Sequence, residues 1–508
     1  MLNSYYINSA DKGAIGGPPL AHGNSLKRQR LALGGRGPAC VFSRRPCQGD
    51  TPRRRVRLRA LWLVLILAVP AWAQAGLEDY RVYLDHPRLL LTPRRSRLLK
   101  RERERQSMRW QQFDSLMQTK APVPEPGFAL ALHYHVTGEQ AAGRQAVKWA
   151  LGGARDARQM AIVFDWCQPL LAPSESLALQ DRLRRVLEAD DASTSPDSFR
   201  QRSFAAIALA GHVKELPERR LRDLVEREWK RGIVETVGAG KNPIPRGEHY
   251  ALYEMLHVVR DNLNLDLTET VPGFFKEFPI YHLAGHYPAP YPAAEGEYQI
   301  PAEPGSGPPD LREAALSRAA GLAMVAYHPN ALETQFLQGW LMRDRFILLS
   351  PFGAPYEFLW ANPYHPGLSY QHVPLYFRQP AFNAVFARDR WDEDALWMGH
   401  LEGELQVMNA GNLTALKPGA GMKPLRVGSV TALFGESPMR LQYDGKPGDV
   451  LLLLGMKPGV TYQIEVDDEE LREERADVMG VLEQTMHAMR PTGVRLREAP
   501  HPHQATAP

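Results

Sequence analysis

An all-helical part followed by an antiparallel β part is the fold class this sequence predicts. Two observations carry the prediction. From about Leu77 to Trp360, apolar residues recur at three- and four-residue spacing, the period of amphipathic helices. From about Pro374 the pattern becomes short runs of β-branched and aromatic residues separated by turn signals.

The helical spacing is clearest over Phe128–Leu151, Ala157–Leu171, Ser174–Leu187, Phe199–His212, Leu221–Val237, Tyr250–Leu263 and Leu311–Ala326. Start signals support two of these. Ser174 and Glu175 follow Pro173, and Pro309-Asp310 precedes Leu311. Paired helices with short connections predict a bundle or a toroid of helical hairpins. Residues 284–309 interrupt the pattern with seven prolines and with Tyr287, Tyr291 and Tyr298, and read as a loop over one face of the helical domain. The expected strands are Phe382–Ala387, Leu396–His400, Leu405–Met408, Val427–Phe434, Val450–Leu454 and Tyr462–Val466, an antiparallel sandwich. The domains are thus expected at 77–370 and 371–498, with a disordered Pro/His-rich tail at 499–508.

The N-terminal region reads as an export signal. Arg53, Arg54, Arg55, Arg57 and Arg59 precede the apolar run Leu61–Val69, and Ala71-Trp72-Ala73 places small residues at a cleavage site. The run is shorter than the roughly 20 residues a membrane span needs. Residues 53–73 are therefore expected to be a signal peptide, and the mature protein to be periplasmic or secreted, with no stable membrane span. Residues 1–52 read as a disordered leader rich in Gly, Arg and Pro. A signal is normally N-terminal, so this leader is expected to be a start-site artefact, with the true start nearer Val56.

Charge narrows the partners. Residues 1–73 hold 12 Lys/Arg against 2 Asp/Glu, so the +4 of the whole chain becomes −6 for the remainder. That balance argues against nucleic acid as a partner. It also means that an acidic polymer would need a local basic cleft. Cys40 and Cys47 precede the cleavage site and Cys167 stands alone after it, which leaves no internal disulfide.

Three stretches, in order, resemble the heparinase II/III-like family. Asp85-His86-Pro87-Arg88-Leu89-Leu90-Leu91-Thr92-Pro93 is similar to the family's opening, which leads into an Arg-rich helix. Ile162-Val163-Phe164-Asp165-Trp166-Cys167 resembles a helix of its toroid, and Arg388–Trp397 the run that opens its β domain. The resemblance implies an α/α toroid followed by β-sandwich layers. It also implies an exported polysaccharide lyase that cleaves uronic-acid polymers by β-elimination, so that an acidic polysaccharide is the expected partner.

β-Elimination removes the C5 proton of a uronate while something neutralises the neighbouring carboxylate. A base, commonly His or Tyr, takes the proton, and a Tyr can return one to the leaving oxygen. The family's Asn/His pair is expected in 195–205, where this chain instead has Arg200 and Arg202. Either arginine could hold a carboxylate in a two-pronged pair. The family's Tyr falls in the stretch Arg246-Gly247-Glu248-His249-Tyr250-Ala251-Leu252-Tyr253, where His249 and Tyr253, four apart, share a helix face. The expected catalytic residues are Tyr253, His249 and Tyr250. Arg200, Arg202, Arg246 and Trp166 are the expected substrate-binding residues.

In the β part, the family's His-rich loop is shortened to Trp397–Glu404, leaving His400 and Glu402 two apart on one strand side. A metal site normally needs three or four ligands. No cofactor is therefore expected, with His400 and Glu402 the candidate ligands should a divalent metal bind. The chain has no G-x-S-x-G, H-E-x-x-H or phosphate-cradling glycine loop. Two functions follow from these residues: a polysaccharide lyase, or a non-catalytic glycan-binding relative that has lost the Asn/His pair.

Overall fold

The computed structural model describes residues 80–499, apart from 84, 190–192, 295, 306, 344–346, 420–421, 436–437, 469 and 488–491. The leader, the signal segment and the tail from residue 500 onward lie outside the described residues. No helix among the described residues is long and apolar enough to cross a membrane.

Helices come first and sheets second. The helical part comprises α1 (Pro93–Glu104), α2 (Met108–Gln118), α3 (Pro126–Thr137), α4 (Gln140–Leu151), α5 (Ala157–Trp166), α6 (Pro173–Glu188) and α7 (Pro196–Leu209). It continues with α8 (Leu216–Asp223), α9 (Glu235–Gly238), α10 (His249–Leu263), α11 (Pro272–Ala284), α12 (Leu311–Tyr327), α13 (Leu332–Leu341) and α14 (Gly353–Trp360). A π-helical stretch, Leu224–Val234, joins α8 to α9.

Local chemistry sets the helix ends. Thr92, Ser107, Asp156, Ser195 and Asp310 each accept a backbone N–H in the first turn of the helix they precede. The expected start at Asp310 is found: its carboxylate accepts from the Arg312 N–H at 2.8 Å. The single periodic stretch Phe128–Leu151 is two helices, because Gly138 sits at φ +77 and ends α3 with a left-handed cap.

Six helices close a ring. α3 packs on α5, α5 on α7, α7 on α10, α10 on α12 and α12 on α14. Phe128 of α3 then stacks on Tyr356 of α14, with ring centroids 5.2 Å apart, and shuts the circle. The outer helices fill the grooves between ring members, α4 against α3 and α5, α6 against α5 and α7, α13 against α12. The ring helices run in one direction. Their N-terminal ends gather around Glu125, Arg158 and Arg200, while the C-terminal ends of α5, α7 and α10 gather around Arg88. α1 lies across that C-terminal end, bonding the last turn of α3 through Arg103 and Ser96.

The β part is three stacked sheets. A five-stranded antiparallel sheet runs β3 (Tyr376–Gln379), β4 (Ala384–Arg388), β5 (Trp397–Leu401), β6 (Glu404–Asn409), β7 (Asn412–Leu416). It follows the short hairpin β1 (Tyr291–Ala293) and β2 (Gly296–Tyr298) inside the proline-rich loop. The middle sheet has β8 (Leu425–Val427), β9 (Val430–Phe434), β11 (Val450–Leu454) and β14 (Val481–Thr485). The third has β10 (Met439–Tyr443), β12 (Thr461–Val466), β13 (Glu470–Arg475) and β15 (Thr492–Glu498).

Alternation decides which side faces what. In β4, Val385 and Ala387 face the middle sheet, while Ala384 and Phe386 join the core shared with the helices. β9 and β11 are apolar at nearly every position because both their faces are covered, one by each neighbouring sheet. These two strands pair parallel, the one departure from the expected antiparallel pattern among the described strands.

The stretch Arg388–Trp397 fastens sheet to ring. The Arg388 guanidinium donates to the carbonyls of Ala284 and His286 at 2.9 and 3.1 Å and lies 3.8 Å over the Trp391 ring. The Trp397 indole donates to the same Ala284 carbonyl at 3.2 Å. Replacing Arg388 by Ala removes both charge-assisted bonds and takes the guanidinium from the His286 carbonyl, while Ala284 keeps the Trp397 indole, so a loss of roughly 3 kcal/mol is expected. Chemical denaturation of wild type and Arg388→Ala checks this; equal midpoints would show that the junction does not depend on Arg388.

Candidate functional site

The two faces of α10 have different fates. Tyr250, Glu254 and His257 line the centre of the ring, whereas His249 and Tyr253 face the outer layer. A salt-bridged knot fills the centre. Arg158 grips Glu254 with two bonds of 2.6 Å and reaches Glu125 at 2.7 Å. Arg200 adds a third bond to Glu254 at 2.9 Å and also pairs with Asp197. The Tyr250 hydroxyl donates to Glu254 at 2.6 Å and accepts from the Trp360 indole at 2.9 Å.

Burial penalises the Arg158 and Arg200 charges, but the surrounding carboxylates, Glu254 foremost, outweigh it and hold both guanidiniums above their ordinary range. Burial pushes the Tyr250 hydroxyl well up, reinforced by Glu254. Arg200 and Tyr250 are thus placed together, with both terminal nitrogens of Arg200 and the Tyr250 hydroxyl directed at protein carboxylates.

His249 and Tyr253 share a helix face, as their spacing predicts, but that face is sealed. The Tyr253 ring is 3% exposed, packed between Phe278 and Tyr327. Burial, then the nearby Asp266 charge, raises its pKa far above the ordinary value. His249 is fully buried, its Nδ1 3.2 Å from that of His282. A third histidine, His286, bonds the His282 carbonyl at 2.7 Å and the Ser317 hydroxyl at 3.0 Å. Burial first, and like charge nearby second, keep all three imidazoles neutral at ordinary pH. Arg246 borders them, donating to the His282 carbonyl at 2.9 Å and packing so close to Gly285 that a Cβ there would meet it at 2.2 Å.

The remaining expected residues have structural partners elsewhere. Trp166 donates its indole N–H to the Leu89 carbonyl at 2.8 Å and so anchors the arm that carries the first family-like motif. Arg202 faces outward, bonded to Glu228 at 2.7 Å and to the Ser193 carbonyl at 2.9 Å. His400 is buried in β5, whereas Glu402 is exposed in the following turn at φ +48, so the two do not converge. Among the described residues no group of three or more His, Cys, Asp or Glu is placed to hold a metal.

Beside the buried histidines lies an open cleft of about 520 Å³ between the proline-rich loop, the start of α12 and the β6–β7 turn. Tyr287, Tyr291, Glu303 and Glu313 line it. Burial raises both carboxyls above the ordinary glutamate value, and for Glu313 the charge of Glu303 adds to the shift. Neither glutamate carries a sequence signal beyond its place after prolines. Glu254, the hub of the knot, could have been found from its position four residues after Tyr250, on the same helix face.

No protein-family description matches the chain, and no curated protein matches it. A solved structure titled "Glycoside hydrolase" aligns over 74% of this chain and 71% of its own, at 10% identity and a TM-score of 0.28. At that level of superposition no shared fold follows.

Two outcomes test this reading. Glu254→Ala leaves two buried cations without their shared partner, and a loss of roughly 3–5 kcal/mol is expected in denaturant unfolding; a loss below about 1 kcal/mol would contradict a central role for the knot. Burial lowers the His400 pKa from 6.5 to about 4. Its neutral form therefore favours the folded state above 6.5, and this contribution fades as pH falls from 6.5 through about 4. Unfolding midpoints should decline over that window in wild type and decline less in His400→Asn. Parallel curves would remove His400 from the account.

Proposed function

We propose that the protein is an exported glycan-binding protein of the heparinase II/III-like type, with an acidic polysaccharide as ligand and without elimination activity. The sealing of Tyr253 and His249 against α11 and α12 supports this reading. A base that cannot meet solvent cannot meet a C5 proton, and proton transfer needs hydrogen-bond reach. The arginine expected to hold the uronate carboxylate, Arg200, is already committed to Glu254 and Asp197. The toroid–sheet frame supports a common architecture with carbohydrate-active proteins without fixing the chemistry.

One observation favours a second reading, hydrolysis of a glycoside. Glu303 and Glu313 face one open cleft beside Tyr287 and Tyr291. Glycoside hydrolysis uses a pair of carboxyls, one kept protonated.

The deciding experiment offers full-length protein to heparan sulfate, chondroitin, hyaluronan, alginate and pectate. Ultraviolet absorbance detects unsaturated uronate, reducing-end release detects hydrolysis, and calorimetry detects binding. Binding with a flat ultraviolet trace is the expected result. A rising trace that Tyr253→Phe abolishes would overturn the proposal and restore the lyase. Reducing ends that Glu313→Gln abolishes would establish the hydrolase instead.

A further inference from the structure

At the opposite end of the ring from the sheets, α1 crosses the C-terminal ends of α10, α12 and α14 and leaves a concave cleft of about 620 Å³. Five arginines line it, Arg94, Arg95, Arg97, Arg101 and Arg260, against a single carboxylate, Asp261. They fall into two groups.

Arg95 and Arg260 are committed to the fold. Arg95 donates to the Leu90 carbonyl at 2.5 Å and lies 4.2 Å over the Trp360 ring. Arg260 donates to the Tyr327 carbonyl at 2.7 Å, stacks 3.7 Å over the Tyr327 ring and sits 3.6 Å from Asp261. The one carboxylate is therefore engaged at the floor.

Arg94, Arg97 and Arg101 are exposed, and none of their side chains makes a hydrogen bond or ion pair with a described residue. Their spacing puts them on one face of α1. Like charges at this spacing repel, and Arg94 in the first turn also opposes the helix dipole. For folding alone, this arrangement is unfavourable. An anion in the cleft would relieve both costs.

The rim adds two features. Tyr364 is 58% exposed, and its hydroxyl accepts from Arg105 at 2.6 Å, which fixes the ring beside the cations. An exposed aromatic face offers apolar surface to a sugar ring while guanidiniums take its acidic groups in two-pronged pairs. His365, its pKa lowered by burial and then by Arg94 and Arg95, stands neutral at the same wall as a hydrogen-bonding group. The concavity matters for the choice of ligand. A chain carrying separate acidic groups can enter it, whereas a flat bilayer surface meets only the outermost arginines.

We propose that this cleft binds an acidic oligosaccharide, with Arg94, Arg97 and Arg101 each meeting a carboxylate or sulfate and Tyr364 packing on a sugar ring. The inference rests on the glycan-binding reading and gives that reading its site, away from the toroid–sheet junction.

The test is calorimetric titration of the full chain with size-defined heparan sulfate and alginate oligosaccharides, wild type against R94S/R97S/R101S. A neutral cello-oligosaccharide and vesicles of phosphatidylglycerol serve as further probes. The expected result is binding of the acidic oligosaccharides alone, at least tenfold weaker in the triple variant, with an unchanged or higher melting temperature. The three residues are exposed, so the fold is expected to survive, and Tyr364→Ala gives a second, independent loss of affinity. Equal affinity in wild type and both variants would overturn the site while leaving glycan binding intact. A wild type that binds no acidic oligosaccharide would overturn site and reading together. Cleft-dependent binding of vesicles alone would assign the arginines to a lipid surface and overturn the oligosaccharide.

Discussion

Glu254 is the residue on which the helical ring turns. It stands fully buried where α3, α5, α7, α10 and α14 converge, and it receives two arginines and a tyrosine. A buried carboxylate is costly unless its lone pairs are all engaged and its charge is matched. Here each oxygen accepts two donors, and the excess positive charge of the arginines is met by Glu125 and Asp197. Apolar packing alone would let inner helices slide along each other, since ridges and grooves repeat every turn. Three helices tied to one carboxylate, with α3 and α14 joined to them through Glu125 and Trp360, have a single register.

That same knot removes the space in which a toroid would do chemistry. The centre is occupied by protein cations bound to protein anions, and the outer face of α10 is occupied by aromatics. Two of the open clefts among the described residues lie at the two ends of the ring, and they differ in sign. The end facing the sheets presents Glu303, Asp310 and Glu313, while the end crossed by α1 presents arginines. The chain is thus electrostatically polar along the ring axis, although residues 74–508 carry a net charge of only −6.

The order of helices and sheets was legible because periodicity reports burial on one side. Stretches such as Tyr250–Leu263 and Val450–Leu454 declare themselves that way. Gly138, which divides one periodic run into α3 and α4, carries no clear stop signal, because a lone glycine also occurs inside helices. β13 carries no apolar alternation, because Glu470–Arg475 is charged at nearly every position, as the solvent-facing edge of the third sheet permits. The candidate site was harder to read. The spacing of His249 and Tyr253 correctly placed them on one helix face, but spacing cannot say whether that face meets a cleft or another helix. What seals it, Phe278 and Tyr327, comes from segments 25 and 74 residues away.

The double coverage of the middle sheet bears on how the chain can be assembled and shortened. Val430–Phe434 and Val450–Leu454 are made before the strands that shield their second face, since β12 and β15 follow them in sequence. During synthesis these two uncharged, strongly β-prone segments must wait for late partners, a condition that favours self-association. Removing β15 would extend that wait indefinitely. Strands β12 and β15 thus act as a built-in shield against aggregation, and the C-terminal boundary of any shortened form is set by β15.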